Sequence, residues 1–406
     1  MSRSRSSPDE PATGSALELG SRNPLARIAY ILGPVAGSTS FAPAGDGWSR
    51  PSSETAAWGR PASPSGTARG PAIRSAIARE RALRDARRRG ATVHRLPPQR
   101  LTGAGLRNAA RDALLGGALV VEAAGRDARV LDHVATAAGV EVLPEAMHLS
   151  SGGSVVARVR ASGADAVLRI GIADAPGDPS RGAAGLAHLA ALEGPFPRLL
   201  GTGRTAGAAW TLESARPGRR VFLLTPSLAS QVAAVCAALP AGSGPPGASR
   251  RDLEALAGLL PEREDAFLAL ARSLRGELRS VPSILRHGDL WLGNLLADDR
   301  GLSGVVDWDA WDPGSVPGSD VLHLHATSRR IEERCELGEI WAKRPWRDEA
   351  FRSILGGPAR EVPDDVLAIA WWAGEVRGTV SRHIARATDE RWLAVNVDAV
   401  LRALRP

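Results

Sequence analysis

The stretch that most narrows what this chain can become is residues 284–322, ILRHGDLWLGNLLADDRGLSGVVDWDAWDPGSVPGSDVL. Short apolar runs at residues 295–296 and 304–306 flank a polar turn at 297–301, a pattern that predicts two strands joined by a tight connection. Asp289 and Asn294 precede the first strand, and Asp307 directly follows the second. A hairpin brings its two ends together, so these three side chains are expected to converge on one small volume. Two carboxylates and one amide oxygen are hard ligands, and hard ligands suit Mg2+. Any one of these acids alone would read as an incidental polar residue. Their joint spacing on a strand-loop-strand is what points to a site.

The run HGDL, with Asn294 closing its loop and VVDWD following, resembles the aminoglycoside phosphotransferase/choline kinase family, the small-molecule relatives of protein kinases. In the related protein-kinase pattern a loop Asp accepts the substrate hydroxyl proton, while an Asn five residues on and the Asp of the next motif hold the metal ions. The resemblance implies Asp289 as the base and Asn294 and Asp307 as Mg2+ ligands. It gives His287 and Gly288 the shaping of the turn, with His287 structural rather than chemical. Asp320 matches a position that braces the catalytic loop, and is also an ordinary helix N-cap; both readings are structural. The fold implied is α+β and protein-kinase-like, with a small β-rich N-lobe and a larger, mainly helical C-lobe. The reaction implied is ATP- and Mg2+-dependent phosphorylation of a hydroxyl on a small molecule. In such a transfer the protein's work is positioning and charge neutralisation.

The formal charge of +7 invites a nucleic-acid reading, but the basic excess sits largely ahead of the motif region, around residues 73–95. Lys343 is the only lysine, so nearly every positive side chain is Arg. Residues 1–99 are rich in Ser, Pro, Gly, Ala and Arg and show no sustained hydrophobic period, which predicts a disordered basic tail. Within it, residues 76–89 suit a basic helix. Binding of the tail to nucleic acid or an anionic surface is the secondary reading. Cys236 and Cys335 lack Cys or His partners at metal-ligand spacing, and nothing asks for an oxidising compartment. No apolar run approaches a membrane span, and residues 28–35 lack a signal-peptide layout, so the expected localisation is cytoplasmic.

The expected organisation continues with a small helical lead-in at 100–139, comprising a helix at 102–115, a strand at 118–123 and a helix at 126–138. An N-lobe follows at 140–214 and a C-lobe at 215–406. In the N-lobe, MHLSSGGSVVARVRASGADAVLRIG predicts three strands with turns at Gly152 with Gly153 and at Gly163. Paired glycines let backbone N–H groups approach a phosphate, and the resemblance places a nucleotide-covering loop at Gly152, Gly153 and Ser154; a plain hairpin is the alternative. The third strand should carry a phosphate-binding lysine, but Arg169 stands there. Arg keeps the charge and binds phosphate oxygens as a fork, yet it is not interchangeable with Lys. The helix glutamate expected to orient that cation is not evident, and Glu193 is its nearest candidate. By chain order, the backbone around Glu213, Ser214 and Ala215 forms the hinge that holds adenine.

The C-lobe is helical by period and rich in tryptophan. Trp371 and Trp372, with Glu375 one turn on, are candidates for contacting the acceptor, although tryptophans in a helical lobe more often belong to the core. His323 and His325 lack a third metal ligand at sensible spacing and read as core or capping residues. Acidic and basic residues nearly balance beyond residue 321, which disfavours a polycationic aminoglycoside and leaves sugars and amino alcohols open. The competing function is a nucleotide-binding pseudokinase or regulatory module, supported by Arg169 and the missing glutamate. Retention of Asp289, Asn294 and Asp307 argues against it.

Overall fold

The computed structural model describes residues 31, 38–42, 84, 88, 92–95, 118–122, 130–149, 154–175, 177–205 and 207–404. The chain divides into two compact units, one of residues 1–183 with 198–215 and one of 184–197 with 216–406.

The first unit is built on five antiparallel strands in the order β4 (Val140–Leu149), β5 (Val155–Ala161), β6 (Ala164–Ile172), β8 (Ala208–Ser214) and β7 (Leu199–Thr205). Valine and alanine at alternate positions suit a half-buried pleated surface. Val155, Ala157 and Val159 of β5 share one face with Leu168 and Ile170 of β6 and Leu212 of β8, all buried. Helix α1 (Val130–Ala138) lays Val130, Leu131 and Val134 into that core and ends at Gly139, whose φ of 65° is the usual way to stop a helix. Pro144 lies inside β4, where the pairing with β5 shifts register. That is tolerable because β4 is an edge strand and the shift spares the missing N–H a partner.

A second sheet of this unit departs from the expectation for residues 1–99. Strands β1 (Ser38–Ala42) and β2 (Thr92–Arg95) both fall in that range and pair antiparallel with the two edges of β3 (Ala118–Glu122). A strand of four or five residues needs backbone partners rather than a hydrophobic period, and ALVVE supplies them on both sides. Arg84 and Arg88 are helical and exposed, in keeping with a basic helix there. The helix expected at 102–115 lies outside the described residues.

The second unit is mainly helical. Helices α3 (Pro226–Ala237), α4 (Ala248–Leu259), α5 (Glu264–Glu277), α6 (Ser319–Glu333), α7 (Leu337–Lys343), α8 (Glu349–Ile354) and α9 (Asp364–Arg382) surround one core. Helix α2 (Ser180–His188) runs across the division of the chain at residue 183. The small strands carry the site. Strand β10 (Ile284–Arg286) pairs with β13 (Asp312–Ser315), and the hairpin β11 (Leu295–Asp298) with β12 (Gly301–Val305) pairs through β11 with β9 (Arg219–Arg220). Gln231 of α3 accepts a hydrogen bond from Leu302 N at 2.7 Å and ties the hairpin to the helices. No helix among the described residues is long and apolar enough to cross a membrane.

Candidate active site

The turn from β10 into the hairpin is held by its backbone. At Gly288, φ is 83°, and a Cβ there would meet the Ala310 carbonyl oxygen at 2.1 Å, so only glycine fits. Asp320, in the first turn of α6, accepts from the amides of His287 at 2.6 Å and Gly288 at 3.0 Å. It is 5% exposed, so those amides have little water to fall back on. His287 is 1% exposed. Its Nδ1 accepts from Asp289 N at 3.2 Å, which leaves Nε2 to donate to the Val306 carbonyl at 2.9 Å. A ring with both nitrogens spent on backbone is a brace between turn and hairpin.

That brace brings the three motif residues together. The Asn294 amide nitrogen donates to the Asp289 carbonyl at 2.8 Å and to its carboxylate at 3.3 Å. Spending the nitrogen this way leaves the amide oxygen as the atom offered to a cation. Val306 N donates to the Asn294 carbonyl at 2.9 Å, and the pairing of Leu295 with Val305 sets Asn294 and Asp307 at the same end of the hairpin. Asn294 is buried, whereas the Asp289 side chain is 47% exposed. Asp307 has φ 72° and ψ 60°, the left-handed region, which for a non-glycine residue costs about 1–2 kcal/mol. Trp308, buried immediately after it, donates its indole N–H to the Val305 carbonyl at 3.0 Å and packs on the His287 ring. Asp312 is a loop anchor, accepting from Gly314 N at 2.7 Å and from Arg251 at 2.8 Å.

A divalent cation fits this donor set. Among the described residues no group of three or more His, Cys, Asp or Glu could enclose a metal. Mg2+ does not need one, because it keeps waters and takes one or two protein oxygens together with substrate phosphates. The Asp307 carboxylate and the Asn294 amide oxygen have the chemistry of such a pair.

In the first unit, Arg169 lies on the sheet face opposite the core. It pairs across strands with Thr211, and Glu213 is the diagonal neighbour on the same face, its carboxylate 3.9 Å from Arg169 Nε. Thr211 Oγ1 donates to that carboxylate at 3.4 Å. Within this unit the acid beside the strand cation is Glu213, from the neighbouring strand. At the expected hinge, Ser214 N donates to the Arg198 carbonyl at 2.8 Å and Ala215 N to the Asp165 carbonyl at 3.2 Å, which leaves the hinge carbonyls as the groups to meet adenine. Ser154 is buried at the start of β5; Gly152 and Gly153 lie outside the described residues.

The acceptor candidates are corrected. Trp371 is 3% and Trp372 0% exposed, in the core of the second unit. Trp372 stacks on Phe267 and donates its indole N–H to the Asn396 carbonyl at 2.9 Å, so neither ring has a face to lend to a ligand. Glu375 lies 2.9 Å from Nδ1 of His323 and 3.4 Å from Arg330, contacts that sequence reasoning missed because the three residues come from two helices.

A family profile described as phosphotransferase enzyme family matches residues 145–351, just over half of the chain. No curated protein matches. Among solved structures, a thermostable mutant of aminoglycoside phosphotransferase APH(4)-Ia, in complex with ADP and hygromycin B, is similar at 15% identity and TM-score 0.44, over 67% of this chain and 98% of that one. Aminoglycoside phosphotransferase APH(3'')-Id from Streptomyces rimosus is similar at 20% and 0.40, over 59% and 97%. Macrolide 2'-phosphotransferase MphH from Brachybacterium faecium is similar at 20% and 0.42, over 65% and 97%. The profile match spans the β-rich sheet, the braced turn and the Asp289, Asn294 and Asp307 hairpin together, and the chain belongs to the phosphotransferase enzyme family.

Proposed function

We propose that this small-molecule phosphotransferase transfers the γ-phosphoryl group of ATP, with Mg2+, to a hydroxyl of a small metabolite. The observation that carries the reading is the Asn294 amide held against Asp289, on the same hairpin end as a strained Asp307. Asp289 accepts a hydrogen bond from the acceptor hydroxyl, aligns its oxygen for in-line attack and takes its proton as the bond to phosphorus forms. Asn294 and Asp307 would hold the cation, which would supply neutralisation of phosphate charge. In the first unit, Arg169 replaces the usual lysine as the phosphate-facing cation, oriented by Glu213. The acceptor is proposed to be neutral or singly charged, because Asp289 and Glu375 are matched by His323 and Arg330 nearby. The pseudokinase alternative rests on Arg169 alone.

The test is an ADP-release screen with MgATP across sugars, amino alcohols, aminoglycosides and macrolides, run on wild type and Asp289→Asn. The reading expects at least one hydroxyl compound to raise ADP release in wild type and to lose roughly 100-fold or more in the variant. Equal release by both proteins would remove Asp289 from the chemistry.

A further inference from the structure

The side chains around Asp289 form a chain that the phosphoryl-transfer reading does not use. His323 and Asp320 sit one turn apart on α6, so both face the catalytic turn. Asp320 braces the backbone of that turn. His323 Nε2 is 4.0 Å from Asp289 Oδ1, while its Nδ1 is 2.9 Å from Glu375 Oε1 on α9. The other oxygen of Glu375 accepts from Arg330 at 3.4 Å. A carboxylate only accepts, so the Glu375 contact fixes Nδ1 as a donor and leaves Nε2 aimed at Asp289. The two oxygens of Asp289 are thereby distinguished, with Oδ2 on the Asn294 amide at 3.3 Å and Oδ1 on the His323 side.

We propose that His323, held by Glu375, is a positioning residue that fixes the carboxylate plane of Asp289 from the side opposite Asn294. The inference rests on the reading of Asp289 as the group that meets the acceptor hydroxyl. A carboxylate attached only through its own χ angles would sample orientations that point no lone pair at the incoming oxygen. Bracketed by an amide on one oxygen and an imidazole on the other, it offers one geometry, and misplacement by about 1 Å costs up to a hundredfold in such reactions. Burial alone would push His323 down, but the Glu375 carboxylate, with Asp289 and Asp320, outweighs it and holds the ring above the usual histidine value. Arg330 is the opposing positive group from its own helix. The neighbouring carboxylates thus favour the charged form of the ring, and in that form its attraction to Asp289 is that of an ion pair.

Two arms test this on the full chain. The first follows His323 by NMR of histidine labelled in the imidazole ring, its signal assigned by loss in His323→Asn. In wild type it should titrate above the ordinary histidine range, and Asp289→Asn and Glu375→Gln should each lower its midpoint by about one pH unit. A midpoint unmoved by Asp289→Asn overturns the contact. The second arm measures ADP release from MgATP with water as acceptor. His323→Asn should lower kcat about 10- to 100-fold with little change in KM for ATP, and should add nothing in an Asp289→Asn background. The same loss in both backgrounds makes the effect one of general structure and overturns the positioning role. If wild type releases no ADP with water, the same pair of variants is compared with the hydroxyl compound that raises its release; no release with water or any hydroxyl compound overturns the reading of Asp289 itself, while the titration still decides whether His323 faces it.

Discussion

Replacing Asp320 with alanine removes the acceptor of two backbone amides at once. The amides of His287, at 2.6 Å, and Gly288, at 3.0 Å, both donate to this carboxylate, which is 5% exposed. An amide left without a partner in such a place costs about 1–3 kcal/mol. Loss of the negative charge in the first turn of α6 adds about 0.5 kcal/mol. The expected destabilisation is therefore about 2.5–6.5 kcal/mol, a large share of the roughly 5–15 kcal/mol that holds a typical domain together. Asp320→Asn keeps one oxygen acceptor and should lose about half as much. Urea unfolding of wild type and both variants, followed by circular dichroism and tryptophan fluorescence, gives the comparison. A loss below about 0.5 kcal/mol for the alanine variant would mean that the turn finds other acceptors, and the brace argument would be wrong.

Further expectations follow from the same geometry. Gly288→Ala must place a Cβ 2.1 Å from the Ala310 carbonyl oxygen at φ 83°, and should destabilise by at least about 2 kcal/mol or prevent soluble expression; normal stability would refute the close approach. Asp307→Gly releases the left-handed strain at φ 72° and should raise stability by about 1 kcal/mol while abolishing Mg2+-dependent nucleotide binding; lower stability would remove the strain argument. Asp398 is held below the usual carboxylate range chiefly by its hydrogen bonds to Arg263, at 2.7 and 3.0 Å. A lowered carboxylate stabilises the fold above its unfolded value near 3.8, and that contribution is lost as pH falls through the folded value. Asp398→Asn should therefore cost about 1 kcal/mol at pH 7, and that cost should shrink as pH falls below about 3.8 toward the folded value; a cost that does not change with pH would break the linkage.

What could be read from the chain before its structure was the part encoded locally. HGDL, Asn294 and VVDWD lie on one turn and the hairpin that follows it, so their spacing alone brings them to one end of that hairpin, and the strands and helices follow from local period. The Arg169–Glu213 contact was not legible, because it depends on the β6–β8 register, which brings Thr211 opposite Arg169 and puts Glu213 on the diagonal. Glu375 was singled out from its place beside Trp371. Its helix position beside Trp371 is real, but what it touches is His323, on a helix that only tertiary packing brings alongside. Trp371 and Trp372 show the limit of aromatic residues as ligand signals, since the packing that buries Phe267 against Trp372 has no signature in spacing. The strands in residues 1–99 were missed because short pairing segments need no hydrophobic period.

The most direct measurement is a thermal-shift titration with ATP, with and without Mg2+, on wild type and on Asp307→Asn. A ligand present at about a hundred times its dissociation constant adds roughly 2.7 kcal/mol of stability. The account predicts a rise in Tm that requires Mg2+ in wild type and disappears in Asp307→Asn. A rise of the same size in both proteins, or none with any nucleotide, would contradict the assignment of Asn294 and Asp307 as the cation-holding pair of an ATP-dependent enzyme.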